Sequence, residues 1–163
     1  MAPTVAGSDA AVVLMHMRGT PETMRSTPEL MQYDNVVTEV ADALENLQAN
    51  AISAGIRSDA ILLDPGLGFA KTPAQDFLLV REAAYLRARL HTPLFYGPSR
   101  KSFLSSICPG RKAAERDYAT AGILCALAAS GVEVLRVHNV PMAVESLKAF
   151  QKAYSAGQSD FRS

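Results

Sequence analysis

The chain has 163 residues, 48% of them hydrophobic and 20% charged, which suits one compact domain and excludes a disordered chain. Sixteen basic residues balance sixteen acidic ones and are scattered along the sequence, so no overall field draws nucleic acid or an anionic membrane, and any anion site must be local. Cys108 and Cys125 have no CxxC spacing, against zinc or a disulfide framework, and the N-terminus has no basic leader and no stretch near the ~20 residues of a membrane span, so a soluble intracellular protein is expected.

In chain order, Ala11-Val12-Val13-Leu14-Met15 is a continuous apolar run, the pattern of a parallel strand buried on both faces. It leads into His16-Met17-Arg18-Gly19-Thr20-Pro21. Val36, Val40, Leu44, Leu47 and Ala51 then recur at helical spacing, with Gly55 as the expected C-terminal cap. A second run, Ile61-Leu62-Leu63, meets Asp64-Pro65-Gly66-Leu67-Gly68-Phe69. Thr72-Pro73-Ala74-Gln75 supplies a cap, a proline at the first helical position and a glutamine three after the cap, opening a helix expected to reach about Leu90. Leu94-Phe95-Tyr96 runs into Gly97-Pro98-Ser99-Arg100-Lys101-Ser102-Phe103, with a helical turn from Arg100. A polar loop around Pro109-Gly110-Arg111-Lys112 and a helix from about Glu115 to Ser130, closed by Gly131, follow. The fourth run, Val134-Leu135-Arg136-Val137, continues into His138. Pro141 opens a last helix with Val144, Leu147, Phe150 and Tyr154 on one face, and 157–163 reads as a disordered tail.

Repeated strand–helix alternation implies a parallel sheet with right-handed crossovers, either an open doubly wound sheet or a (β/α)₈ barrel; periodicity does not choose. Polar groups at strand ends are the raw material of a barrel active site. Asp64 is either a turn-capping aspartate or a carboxylate that can accept two parallel hydrogen bonds from an amidine-like ring edge. Gly66 and Gly68 suit a dinucleotide loop poorly, because Lys71 stands where its third glycine would fall. Ser99 as an N-cap, with Arg100 and Lys101 beside it, makes an anion-binding helix start; a solvated basic turn is the plainer reading. Arg136 and His138 project to one face of their strand and read as an anion clamp. His16 stays open between a structural and a functional role, and Arg18 and Thr20 read as support.

In this order and spacing the four strand-end motifs resemble the C-terminal half of dihydropteroate synthase, a pterin-binding transferase of folate biosynthesis, over roughly residues 10–155. The resemblance implies an α/β fold of four β/α units, the C-terminal half of a TIM barrel, with residues 1–163 a partial pterin-binding domain and the first four units absent. It implies that p-aminobenzoate displaces pyrophosphate from 6-hydroxymethyl-7,8-dihydropterin pyrophosphate to give 7,8-dihydropteroate. Met15, Asp64, Gly97 and Lys101 would then receive the pterin. Phe69 and the helix start around Ser102 would meet p-aminobenzoate and its sulfonamide mimics, with Ser99 and Arg100 also among the substrate-binding residues. Arg136 and His138 would hold the pyrophosphate, and Lys101, Arg136 and His138 would be the catalytic set.

Mg²⁺ is implied as well, with its ligand outside this chain. The resemblance further implies an isolated half barrel that is inactive, either associating with an N-terminal half or belonging to a homodimer of the complete enzyme. The location expected is cytoplasmic, or mitochondrial in a eukaryotic multifunctional enzyme. Three readings compete. A methyltetrahydrofolate methyltransferase barrel does not account for Ser99-Arg100-Lys101 together with Arg136-Val137-His138, and a phosphate-binding isomerase barrel does not account for Asp64-Pro65-Gly66-Leu67-Gly68-Phe69. A non-catalytic half barrel would keep the motifs only as a scaffold.

Overall fold

The computed structural model describes residues 2–24 and 26–156. The tail expected over 157–163 lies outside them. After a short helix α1 (Ala2–Ala6), four strands alternate with helices: β1 (Val12–Met15), α2 (Val36–Ser53), β2 (Ile61–Asp64), α3 (Pro73–Arg81), α4 (Ala83–Leu90), β3 (Phe95–Tyr96), α5 (Asp117–Ala129), β4 (Val134–Leu135) and α6 (Val140–Ala156). Among the described residues no helix is long and apolar enough to cross a membrane.

β1 pairs in parallel with β2 from Val12 opposite Ile61 to Met15 opposite Asp64, and β3 pairs in parallel with β4. A parallel bridge from Leu63 to Leu94, with Leu63 N–H donating to Pro93 O at 3.0 Å, joins the two pairs. The strands therefore stand in the order 1-2-3-4 without reversal. A doubly wound sheet reverses its order at a switch point, whereas sequential parallel neighbours with right-handed crossovers form the wall of a (β/α)₈ barrel. The fold is four consecutive β/α units, half of such a barrel.

Local sequence explains the helix starts. Asn35 Oδ1 accepts from the N–H groups of Val37 and Thr38 and caps α2. Thr72 and Gln75 form the reciprocal capping box read from the sequence, opening α3. Asn139 Oδ1 accepts from Met142 N–H at the start of α6. At the far end of α2, Gly55 takes φ +90°, as its cap reading requires. The core forms where α2, α3 and α4 cover the sheet: Val40, Ala41, Leu44, Leu63, Leu79, Leu86, Leu94 and Tyr96 are all completely enclosed. Each such large apolar side chain contributes on the order of 1.5–3 kcal/mol by leaving water.

Several expectations are corrected. The helix from Thr72 to Leu90 breaks at Glu82, which closes α3 and opens α4. This bend lets α4 lie on α2 while α3 packs against α5 and the Ser102 turn. Only β2 shows the burial of a two-sided strand; Val13 on β1 is exposed. On α2, Leu47 is exposed while Val37 and Ala41 join the core. The fourth strand pairs regularly only at Val134 and Leu135, although Arg136 N–H still reaches Tyr96 O at 2.8 Å. On α6, Val144 and Tyr154 are exposed, and Phe150 stacks on Tyr154. A 3₁₀ turn, Ala113–Arg116, precedes α5, so that helix begins two residues later than expected.

Candidate active site

Because the strands are parallel, their C-terminal ends and following loops gather at one edge of the wall. Met15 and Asp64 are in register at the tips of β1 and β2, and His16 N–H donates to Asp64 O at 2.9 Å. The Asp64 carboxylate is buried, and Oδ1 accepts from Gly66 N–H at 2.8 Å. Burial raises its pKa, while the Gly66 N–H and the cations Lys101, Arg136 and Lys71 pull it down. Gly66 is in the left-handed region, where a β-carbon would lie 2.0 Å from His16 O, so no other residue fits beneath the Asp64 turn.

Lys101 and Arg136 come to this carboxylate from the third and fourth strand ends. Lys101 passes Gly68 and sets Nζ 4.1 Å from the centre of the half-buried Phe69 ring. Arg136 lies over Gly97, with Nη2 and Nε within 3.0 Å of where a β-carbon would stand. Beside it, His138 N–H donates to Ser99 Oγ at 3.1 Å, and its Nδ1 is 2.9 Å from the same hydroxyl. One buried carboxylate faced by two cations, with an aromatic ring at the edge, can orient a planar heterocycle, and an arginine with a histidine can hold an anion next to it.

The Ser99–Ser102 segment differs from its expected form. Ser99 caps no helix: it is buried, and its hydroxyl fixes His138. The helical piece is a five-residue 3₁₀ turn, Ser102–Ser106, preceded by Lys101, with no side-chain cap. Arg100 does not face the mouth. Its backbone is left-handed at φ +60°, and its guanidinium makes a two-pronged pair with Asp117 at 2.8 and 2.9 Å. Asn139 Nδ2 donates to the same carboxylate, and the pair and this amide hold Asp117 down to about 2. Arg100 is thereby a brace between this segment, α5 and α6. Ser102 is exposed and borders a cavity of about 210 Å³ with Gly68, Asp76 and Phe103.

Three buried polar residues lie near the site: His16, left open by the sequence, and Lys71 and Asp76, to which the sequence assigned no role. His16 is enclosed, with Nδ1 3.0 Å from Lys71 Nζ, and burial with the nearby cations lowers its pKa to about 3. It stands as a neutral imidazole against the Lys71 ammonium. Lys71 and Asp76 are also buried; Asp76 Oδ1 accepts from Gly68 N–H at 2.8 Å, and burial lifts its pKa to about 6. In sequence, Asp76 is an ordinary first-turn acid, and Lys71 shows only that the third glycine of a dinucleotide loop is missing. Arg18 serves as support, bonded to Gln32 O and Glu39 and lying 3.7 Å over Tyr33. Among the described residues no group of three or more His, Cys, Asp or Glu could hold a metal ion. Asp64 and Asp76 each commit one oxygen to a backbone N–H.

Residues 1–138 match the family described as pterin binding enzyme. The chain is 37% identical over 144 residues to the dihydropteroate synthase of Neisseria meningitidis serogroup C, a match covering 88% of this chain and 50% of that protein. It is also 37% identical over 148 residues to a folate synthesis bifunctional protein of Arabidopsis thaliana, covering 86% of this chain and 30% of that one. The chain thus spans half the length, or less, of these relatives. Among solved structures, the Yersinia pestis dihydropteroate synthase in a sulfonamide drug complex superposes with a TM-score of 0.87 at 28% identity, covering 94% of this chain and 54% of that one. The Thermus thermophilus enzyme in complex with 4-aminobenzoate gives 0.85 at 31% identity, covering 94% and 60%.

Proposed function

The chain belongs to the pterin-binding enzyme family, and on that premise we propose that it carries half of the active site of a dihydropteroate synthase. The observation that carries this reading is the meeting of Asp64, Lys101 and Arg136, from three strand ends, at one mouth. The substrates are 6-hydroxymethyl-7,8-dihydropterin pyrophosphate and p-aminobenzoate. Asp64 accepts from the N–H edge of the pterin and Lys101 donates to its ring oxygen and nitrogen, with Met15 and Gly97 at the ring faces. Arg136 donates to the pyrophosphate, as does His138 through Nε2, Ser99 having engaged Nδ1. The aniline nitrogen attacks the pterin methylene, the C–O bond to pyrophosphate breaks, and the amine proton leaves to solvent. Charge growing on the leaving oxygens is met by preorganised donors, the usual source of the largest rate effect.

Phe69 and Ser102 border the p-aminobenzoate position, where sulfonamides would compete. Arg100 acts there only by holding the segment in place. Mg²⁺, when bound, would neutralise pyrophosphate charge, but the acidic residues described here do not make a site for it, and no step above uses it. The location proposed is cytoplasmic, with a mitochondrial one as the alternative, since the folate synthesis bifunctional protein of Pisum sativum is named mitochondrial. The test is pyrophosphate release with both substrates. These 163 residues alone are expected to give none, since they hold four of the eight β/α units of the fold. The same residues joined to the first half of a family barrel are expected to turn over. No release from the joined protein would overturn the reading.

A further inference from the structure

The loop from β2 to α3 is pinned from below by side chains that touch no substrate in the scheme above. Lys71, only 7% exposed, sets Nζ 3.0 Å from Gly66 O, 3.1 Å from Phe69 O and 3.0 Å from His16 Nδ1. An ammonium has three donors and no lone pair, so these three acceptors use all of them, and His16 must present its Nδ1 lone pair and carry its proton on Nε2. Asp76, 1% exposed, takes Gly68 N–H, and Tyr33 Oη donates to Ala70 O at 3.1 Å. The loop needs such clamps, because Gly66, Gly68 and the non-glycine Ala70 are all left-handed. Gly66 joins the two ends of the device: its N–H is held by Asp64 and its carbonyl by Lys71.

We infer that Lys71 is a positioning residue, whose ammonium ties the end of β1 to the loop after β2 and so sets the direction of the Asp64 carboxylate and the Phe69 ring. This rests on the reading of those two residues as ligand groups. The charges around Lys71 are Asp76 and Asp64, which favour the ammonium, and Arg18 and Lys101, which oppose it, with neutral His16 in contact. Burial outweighs them and brings its pKa to about 8. Because burial lowers this pKa, the ordered loop is not weakened by loss of the proton: the neutral amine keeps two N–H donors for the carbonyls of Gly66 and Phe69 and a lone pair for Nδ1–H of His16 in its other tautomer, so the clamp rests on where Nζ is held and carries no alkaline switch.

The test compares the wild-type chain with Lys71→Met and Lys71→Arg. Amide hydrogen exchange is read at Gly66, Gly68 and Phe69, and binding of pterin-6-carboxylate is followed by NMR at a single pH near neutrality. Lys71→Met is expected to speed exchange at those three amides on the order of tenfold, leave α2 amides unchanged and weaken pterin binding by a similar factor. Lys71→Arg, which keeps N–H donors there, is expected to restore part of both. Unchanged exchange at the three amides, or wild-type affinity, in Lys71→Met would overturn the inference. If Lys71→Met unfolds as a whole, the wild-type chain decides: exchange at Gly66, Gly68 and Phe69 as fast as at the exposed Gly110 overturns it. If the wild type binds no pterin, the proposed function is at fault, and the exchange comparison still decides whether Lys71 orders the loop.

Discussion

Arg136 occupies the space that the missing side chain of Gly97 leaves open: a β-carbon at 97 would lie 2.9 Å from Nη2 and 3.0 Å from Nε. The third strand end thereby admits a cation delivered by the fourth, and two separate sequence motifs become one site. Gly97→Ala should fold normally, since what it meets is the end of a flexible side chain, and should change stability by less than about 1 kcal/mol. It should nevertheless move the guanidinium and weaken pyrophosphate binding several-fold. Thermal melting beside isothermal titration checks both halves, and unchanged affinity would mean that Arg136 is not needed where it lies.

Lys101→Ala and Arg136→Ala, in the chain joined to the first half of a family barrel, should each lower turnover on the order of 10²–10³-fold, because both remove a preorganised cation. Steady-state kinetics is the measurement. Near wild-type turnover in either variant would remove that residue from the scheme.

Ser99→Ala deletes the hydroxyl that meets both the backbone and the ring of His138. A cost of about 1–2 kcal/mol in urea unfolding is expected. The cycle with His138→Ala should show coupling on the order of 0.5 kcal/mol or more, and additive losses would mean that Ser99 does not hold the imidazole.

Asp76 gives a pH dependence of uncommon sign. Its carboxyl is raised from 3.8 to about 6 by burial, so between these values the folded chain holds a proton that the unfolded chain has released. Stability should therefore fall as pH rises from about 4 to 6 and level off above. Asp76→Asn keeps an oxygen for Gly68 N–H but cannot titrate, and its stability curve should lack this fall. Denaturant melts across that window in both proteins are the check; parallel curves would show that Asp76 titrates normally.

Sulfonamide affinity for the joined protein should rise when pterin and pyrophosphate are present. On the proposed reading Asp64 and Arg136 hold the inner ligands, and filling that part should order the surroundings of Phe69 and Ser102, where the drug would sit. Calorimetric titration with and without the inner ligands decides this. Equal affinities would refute the coupling, and lack of competition with p-aminobenzoate would refute the position.

The alternation of four strands and their helices was legible in residue order, because apolar runs and helical spacing are local signals. The Thr72–Gln75 box and the cap at Gly55 were equally legible, since each is completed within a few residues. The strand-end motifs, with Asp64, Lys101, Arg136 and His138, could be picked out because polar groups there interrupt apolar patterns. Where those groups point depends on contacts between distant segments. Arg100 and Lys101 are adjacent cations in the sequence, yet a left-handed turn sends one to Asp117 and the other across Phe69. Ser99 has the look of a cap, but its partner His138 lies 39 positions away. The choice between open sheet and barrel rested on the bridge from Leu63 to Leu94, and the break at Glu82 on how α3 and α4 find different neighbours. The burial of Lys71 against His16, 55 residues apart, was likewise invisible, because desolvation belongs to the assembled environment and not to the residue that suffers it.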